Sequence, residues 1–156
     1  MTKMLGSLFL AAALAACAAG NETVEAPSPA AANAATSASP DDLRTTCVST
    51  FARQRECTEQ FLPALVDARI RVDKPAGIAA RAQQPGGRDS LLAEAHTEWA
   101  EDSKPEAAAA TCDQIVGRLP NDAIESALRD AQACLGESSC DPFVRCLEPI
   151  LARTMR

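Results

Sequence analysis

The stretch Ser39–Leu65, SPDDLRTTCVSTFARQRECTEQFLPAL, decides the fold. Ser39-Pro40-Asp41-Asp42 is a helix start. It offers a hydroxyl for the first free amides, a proline whose fixed φ suits the first turn, and two carboxylates at the positive end of the helix dipole. Leu43, Cys47 and Phe51, and then Cys57, Phe61 and Leu65, fall every four residues, the spacing of one helix face. Pro63 has no amide to donate and should kink or restart this helix late in its course. Arg69-Ile70-Arg71-Val72-Asp73 alternates as a strand would, but it has no partner strand and is read as the fraying end of the helix.

Helix signals repeat further along. Lys74–Arg88 holds Pro75, Gly77, Pro85, Gly86 and Gly87 and is read as a loop. Leu91, Leu92, Ala95 and Trp99 then share one helix face. Ser103-Lys104-Pro105-Glu106 has the form of a capping box, launching a helix that turns Ala108, Cys112 and Ile115 inward and ends near Gly117. Asp122-Ala123-Ile124-Glu125 repeats the start signal, followed by Ile124, Leu128, Ala131 and Leu135, with Gly136 as the stop. Asp141-Pro142 opens a last helix carrying Phe143, Leu147 and Ile150, whose end Pro149 weakens. Residues 41–156 are therefore expected to form one all-α domain, a small bundle of about five helices joined by short turns.

Four aromatic residues, Phe51, Phe61, Trp99 and Phe143, are all this domain has, and tyrosine is absent. Small side chains bury little area, so Cys47, Cys57, Cys112, Cys134, Cys140 and Cys146 are read as disulfide staples in an oxidising compartment. Cys47 and Cys57 lie about 15 Å apart on one helix, too far to bond each other. Cys134 and Cys140 flank a short turn and are expected to close that hairpin. Cys47 and Cys57 then take Cys112 and Cys146, in an order the spacing leaves open. The Cys-x9-Cys spacing of the first two occurs in twin Cys-x9-Cys hairpins, but Cys134 and Cys146 have eleven residues between them, so the second pair is missing. No Cys-x-x-Cys is present, so thioredoxin-like redox sites, zinc ribbons and c-type haem attachment lack their signature.

The chain opens with Met1-Thr2-Lys3, the apolar run Met4–Ala13, and Leu14-Ala15-Ala16-Cys17. A basic start, a short apolar core and small residues before a cleavage point describe a secretory signal, and the run is too short to span a bilayer. Leu14-Ala15-Ala16-Cys17 resembles the lipobox of bacterial lipoproteins. The resemblance implies removal of residues 1–16 as a signal peptide and a diacylglycerol on the Cys17 thiol. With Ala18 rather than aspartate next, it implies sorting to the outer membrane, lipid-anchored and facing the periplasm, or to the cell membrane where there is only one. An ordinary signal peptide cut after Ala16 or Ala19 is the alternative and leaves Cys17 incidental. Lipidation, however, accounts for the odd cysteine among seven. Residues 17–40 are rich in Ala, Pro and Ser and read as a disordered tether behind the lipidated cysteine, with a reach on the order of 25 Å.

Loss of residues 1–16 removes one lysine, leaving 14 Lys and Arg against 21 Asp and Glu, a charge near −7. That argues against nucleic acid as a partner. His96 is the lone histidine, and Glu94 and Glu98 lie on another face of its helix, so it is read as a surface residue and no metal site is assigned. Ser90 and Ser126 have no Gly-x-Ser-x-Gly elbow, and no glycine-rich phosphate loop is present. Arg53, Arg55, Glu56, Asp67, Arg69, Arg71 and Asp73 form a charged run, read as a solvated face with Asp67 and Arg71 at ordinary helix-pair spacing. No catalytic residue and no cofactor are assigned. The favoured expectation is a non-enzymatic binding or structural module of the envelope, with membrane lipid and an envelope protein as partners. The competing one is a small periplasmic acid–base hydrolase with a carboxylate site. A helical periplasmic chaperone is a variant of the first, without the Leu-Thr-x-x-Gln motif of the best-known helical stress chaperones.

Overall fold

The computed structural model describes residues 38–155. They form seven helices: α1 (Pro40–Glu56), α2 (Thr58–Val72), α3 (Ile78–Ala82), α4 (Gly87–Asp102), α5 (Pro105–Val116), α6 (Asp122–Cys134) and α7 (Cys140–Thr154). The all-α class stands, and no strand occurs among the described residues. Seven helices replace about five because the first helix is two and the loop after it contains a third.

At the start of α1 the Ser39 hydroxyl accepts the Asp42 amide at 3.2 Å, and the Asp42 carboxylate accepts the Ser39 amide at 3.3 Å. The break comes at Cys57 (φ −103°, ψ 25°), six residues before Pro63, which lies inside α2. Thr58 explains the position. Its hydroxyl donates to the Arg55 carbonyl at 2.7 Å, taking the acceptor that the Glu59 amide would use in an unbroken helix. The Cys57 carbonyl then accepts both Gln60 and Phe61 amides, at 3.0 and 2.8 Å, and starts α2. Pro63 leaves only the Glu59 carbonyl without its helical donor, and Glu59 is exposed to water. The break sends the two halves to different neighbours: α1 packs on α5 and α6, while α2 packs on α7, α4 and α3.

α2 runs helical through Val72 and closes at Asp73 in the left-handed region (φ 50°). The Asp73 carboxylate accepts the Gly77 and Ala79 amides, each at 3.0 Å, and so folds the expected loop into a turn that launches α3. Ser103 does not cap α5. It ends α4, giving its amide to the Trp99 carbonyl at 2.9 Å, and α5 starts one residue later, at Lys104-Pro105. Asn121, one residue before Asp122, caps α6 by accepting the Ala123 and Ile124 amides at 3.1 Å each. α7 begins at Cys140 and continues through Pro149 to Thr154.

Three apolar clusters hold the helices. The largest joins Phe61, Leu62 and Leu65 of α2, Phe143, Leu147 and Ile150 of α7, Ala131 of α6 and Trp99 of α4. A second joins Leu43 and Cys47 of α1 to Cys112 of α5 and Leu128 of α6. The third sets Val66 of α2 against Ile78 of α3 and Leu91 and Ala95 of α4. Trp99 is buried between Phe51 and Phe61, with ring centroids 6.1 and 5.2 Å away.

Candidate functional site

The six cysteines of the domain pair as Cys47–Cys112, Cys57–Cys140 and Cys134–Cys146, with Cα separations of 5.8, 5.2 and 5.6 Å. Cys47 takes Cys112, one of the two orders left open by spacing. The expected Cys134–Cys140 closure is wrong, and so is the assignment of Cys57 to Cys112 or Cys146. Both errors have one cause. Cys140 and Cys146 stand six residues apart on α7, about 240° round the helix, so their sulfurs leave it toward different neighbours. Cys146 faces α6, where Cys134 sits. Cys140 faces the α1–α2 break, where Cys57 sits and is fully buried. The expectation that the first helical segment is tied to the C-terminal helices survives with changed partners. Cys17 and the tether up to residue 37 lie outside the described residues.

The charged run divides into separate structural tasks. Arg53 reaches Glu56 at 2.7 Å and lies over the Phe143 ring, 5.8 Å from its centroid. Asp67 does not pair with Arg71. It takes the Arg88 guanidinium in a two-pronged contact of 2.8 and 2.9 Å, because α4 lays its first turn against that side of α2. This contact holds the Arg88 proton more firmly than usual. Arg44 and Asp113 form a similar link beside Cys47–Cys112, and the Arg44 hydrogen bond holds the Asp113 carboxyl below its ordinary range. The amides of Ala79 and Gly77 do the same for Asp73. Arg69 lies in the α2–α4 crevice, where burial lowers its affinity for a proton and the nearby Glu98 and Asp102 oppose that effect.

No protein family, curated protein or solved structure matches this chain.

His96 is half-buried on α4. Glu94 is engaged by Arg81 from α3, and the Ser90 hydroxyl donates to the same carboxylate at 3.4 Å. Ser126 is exposed on α6. Among the described residues no group of three or more His, Cys, Asp or Glu side chains is placed to hold a metal ion. Two hollows mark the surface around α4. One, between Leu65, Arg69, Ala95 and Trp99, is a crevice of about 10 Å³, room for a single water. The other opens beside Arg81, Pro85, Gly87 and Ser90 with about 220 Å³, and its walls are mostly polar. Sequence reasoning missed the α2–α4 face as a place where charges converge. No sequence signal marked it, because no helical period relates Asp67 to Arg88 and only the packing of α4 brings them together.

Proposed function

We propose that the chain is a bacterial lipoprotein held to a membrane by a lipid on Cys17, with its helical domain acting as a non-enzymatic binding or structural module on the periplasmic side of the outer membrane. The observation that carries this reading is the cysteine pairing. All six domain cysteines are used among themselves, so the seventh, Cys17, is the one left for a different chemistry, and it sits directly after Leu14-Ala15-Ala16. Three disulfides also suit an exported protein. No helix among the described residues is long and apolar enough to cross a membrane.

The module reading also draws on the charged residues. Asp67, Asp73, Asp113 and Glu94 are each engaged by a guanidinium or by backbone amides, so their electrostatics are accounted for by packing. For a hydrolase, the α2–α4 crevice does carry two carboxylates, Glu98 and Asp102, but its volume of about 10 Å³ admits a single water and no substrate. The test is metabolic labelling with an alkyne fatty acid, followed by N-terminal analysis of the mature protein. Wild type should carry label on an N-terminal Cys17, and Cys17→Ser should lose the label and accumulate as precursor. A mature N-terminus at any other residue would overturn the lipid anchor.

A further inference from the structure

The three disulfides are not spread evenly. They tie α1 to α5, the α1–α2 break to α7, and α6 to α7, and no cysteine lies between Cys57 and Cys112. α3 and α4 fall in that gap. α3 packs on α2 and α4, and α4 packs on α2, with a lesser contact to α5. Up to Ala95 their buried apolar residues, Ile78, Leu91 and Ala95, meet α2 at Val66 in the small third cluster, and Leu92 also packs against the edge of the main core.

Two features bound this region. At one end is the Asp73 turn, with Gly77 at φ 88°. At the other is Trp99, which belongs to the main core and is fastened there by its hydrogen bond to Thr58 at 3.1 Å. Between them, the Asp67–Arg88 pair crosses from α4 to α2, with side chains 48% and 44% exposed, and Arg69 of α2 lies near Glu98 and Asp102 of α4, past Ala95. Arg81–Glu94 joins α3 to α4 and so holds the region together internally without fastening it to α2.

Cooperative units of a native fold open at free energies set by their own buried contacts and cross-links. Here one unit has a small cluster, a solvent-screened ion pair and no disulfide, while the rest has the main core and all three disulfides. We propose that Ile78–Ala95 is a strap, a unit that opens from α2 as far as the Trp99 anchor while the disulfide-bonded frame stays closed. Opening bares Val66 and Ile70, an apolar strip one turn apart on α2. The fold thus contains a built-in conformational device that needs no reduction of any disulfide.

Residue-resolved native-state hydrogen exchange on the oxidised full chain tests this. Amides from Ile78 to Ala95 should share one opening and exchange at least about tenfold faster than those of Leu128–Cys134 and Phe143–Ile150. Asp67→Asn should lower strap protection by a further factor of about two to five, the range for an exposed ion pair, and leave α6 and α7 unchanged. Arg88→Gln should reproduce that pattern from the other side. Strap protection equal to that of α7, or a loss in Asp67→Asn spread evenly over α6 and α7, would overturn the proposal.

Discussion

The Trp99 indole N–H donates to the Thr58 hydroxyl at 3.1 Å, and that same hydroxyl donates to the Arg55 carbonyl at 2.7 Å. One side chain therefore anchors the single tryptophan and fixes where α1 ends. Thr58→Val keeps the shape and removes both bonds, leaving a buried indole N–H without a partner. It should cost about 1–3 kcal/mol, with Thr58→Ser retaining most of the stability. Denaturant unfolding followed by Trp99 fluorescence measures both variants, and a loss in Thr58→Ser larger than that in Thr58→Val would show that the methyl group, not the hydroxyl, matters.

The disulfides differ in the length of chain they close. Cys57–Cys140 spans 83 residues and Cys134–Cys146 spans 12. Chain entropy assigns about 4.5 kcal/mol to the longer closure and about 3 kcal/mol to the shorter. The double variant Cys57→Ala with Cys140→Ala should therefore melt lower than Cys134→Ala with Cys146→Ala, as read by circular dichroism. Losses of the same size would place the stabilisation in the folded contacts rather than in the unfolded chain.

Asp73 and Asp113 both have carboxyls held below the ordinary value of 3.8, the first by backbone amides and the second by Arg44. A group whose folded pKa is depressed adds stability that is present above its unfolded pKa and is lost as pH falls through the folded one. Stability should thus decline below about pH 4. Asp73→Asn keeps an accepting oxygen and tolerates the left-handed turn but removes the charge that the amides favour, so it should lower stability at neutral pH towards the acid value and flatten the acid limb. Acid titration followed by circular dichroism gives the comparison, and an acid limb identical to wild type would remove Asp73 from the account.

Gly87 begins α4 where the chain doubles back on α3, and a Cβ there would lie 1.9 Å from the Arg81 carbonyl oxygen. Gly87→Ala must push the two helices apart, at a cost of about 1–3 kcal/mol. At Gly136, after α6, the nearest atom to an added Cβ is 3.5 Å away, so Gly136→Ala serves as the control with little effect. Thermal melts of the pair decide the matter, and equal behaviour would mean that the α3–α4 turn yields freely.

Local signals in this chain are readable because they act between residues three or four apart. Ser39 with Asp42, and the faces carrying Leu91, Ala95 and Trp99 or Phe143, Leu147 and Ile150, need no knowledge of neighbours. Ser103 shows the limit. Its capping-box sequence is genuine, but the residue was already committed to ending α4, and two helices cannot share it in both roles. Pro63 carries the stronger breaking signal, yet Thr58 sets the break, since a hydroxyl that competes for a carbonyl also gained the indole of Trp99 from a distant helix. The disulfide partners depend on that break and on the two faces of α7, both products of packing. Asp67 and Arg88 meet for the same reason. For the functional site, the cysteines were legible as a set and not as pairs.

The order of the cysteines along the chain has a consequence for cleavage. Cys47–Cys112 and Cys57–Cys140 overlap, and Cys134–Cys146 overlaps the second of them. A single protease cut anywhere between Cys47 and Cys146 therefore leaves both pieces joined through at least one sulfur bridge, and a cut in α3 or α4 leaves them joined through two. A nicked molecule would run as one species on a non-reducing gel and as two after thiol treatment. On a membrane, no single nick in that span could shed the distal part.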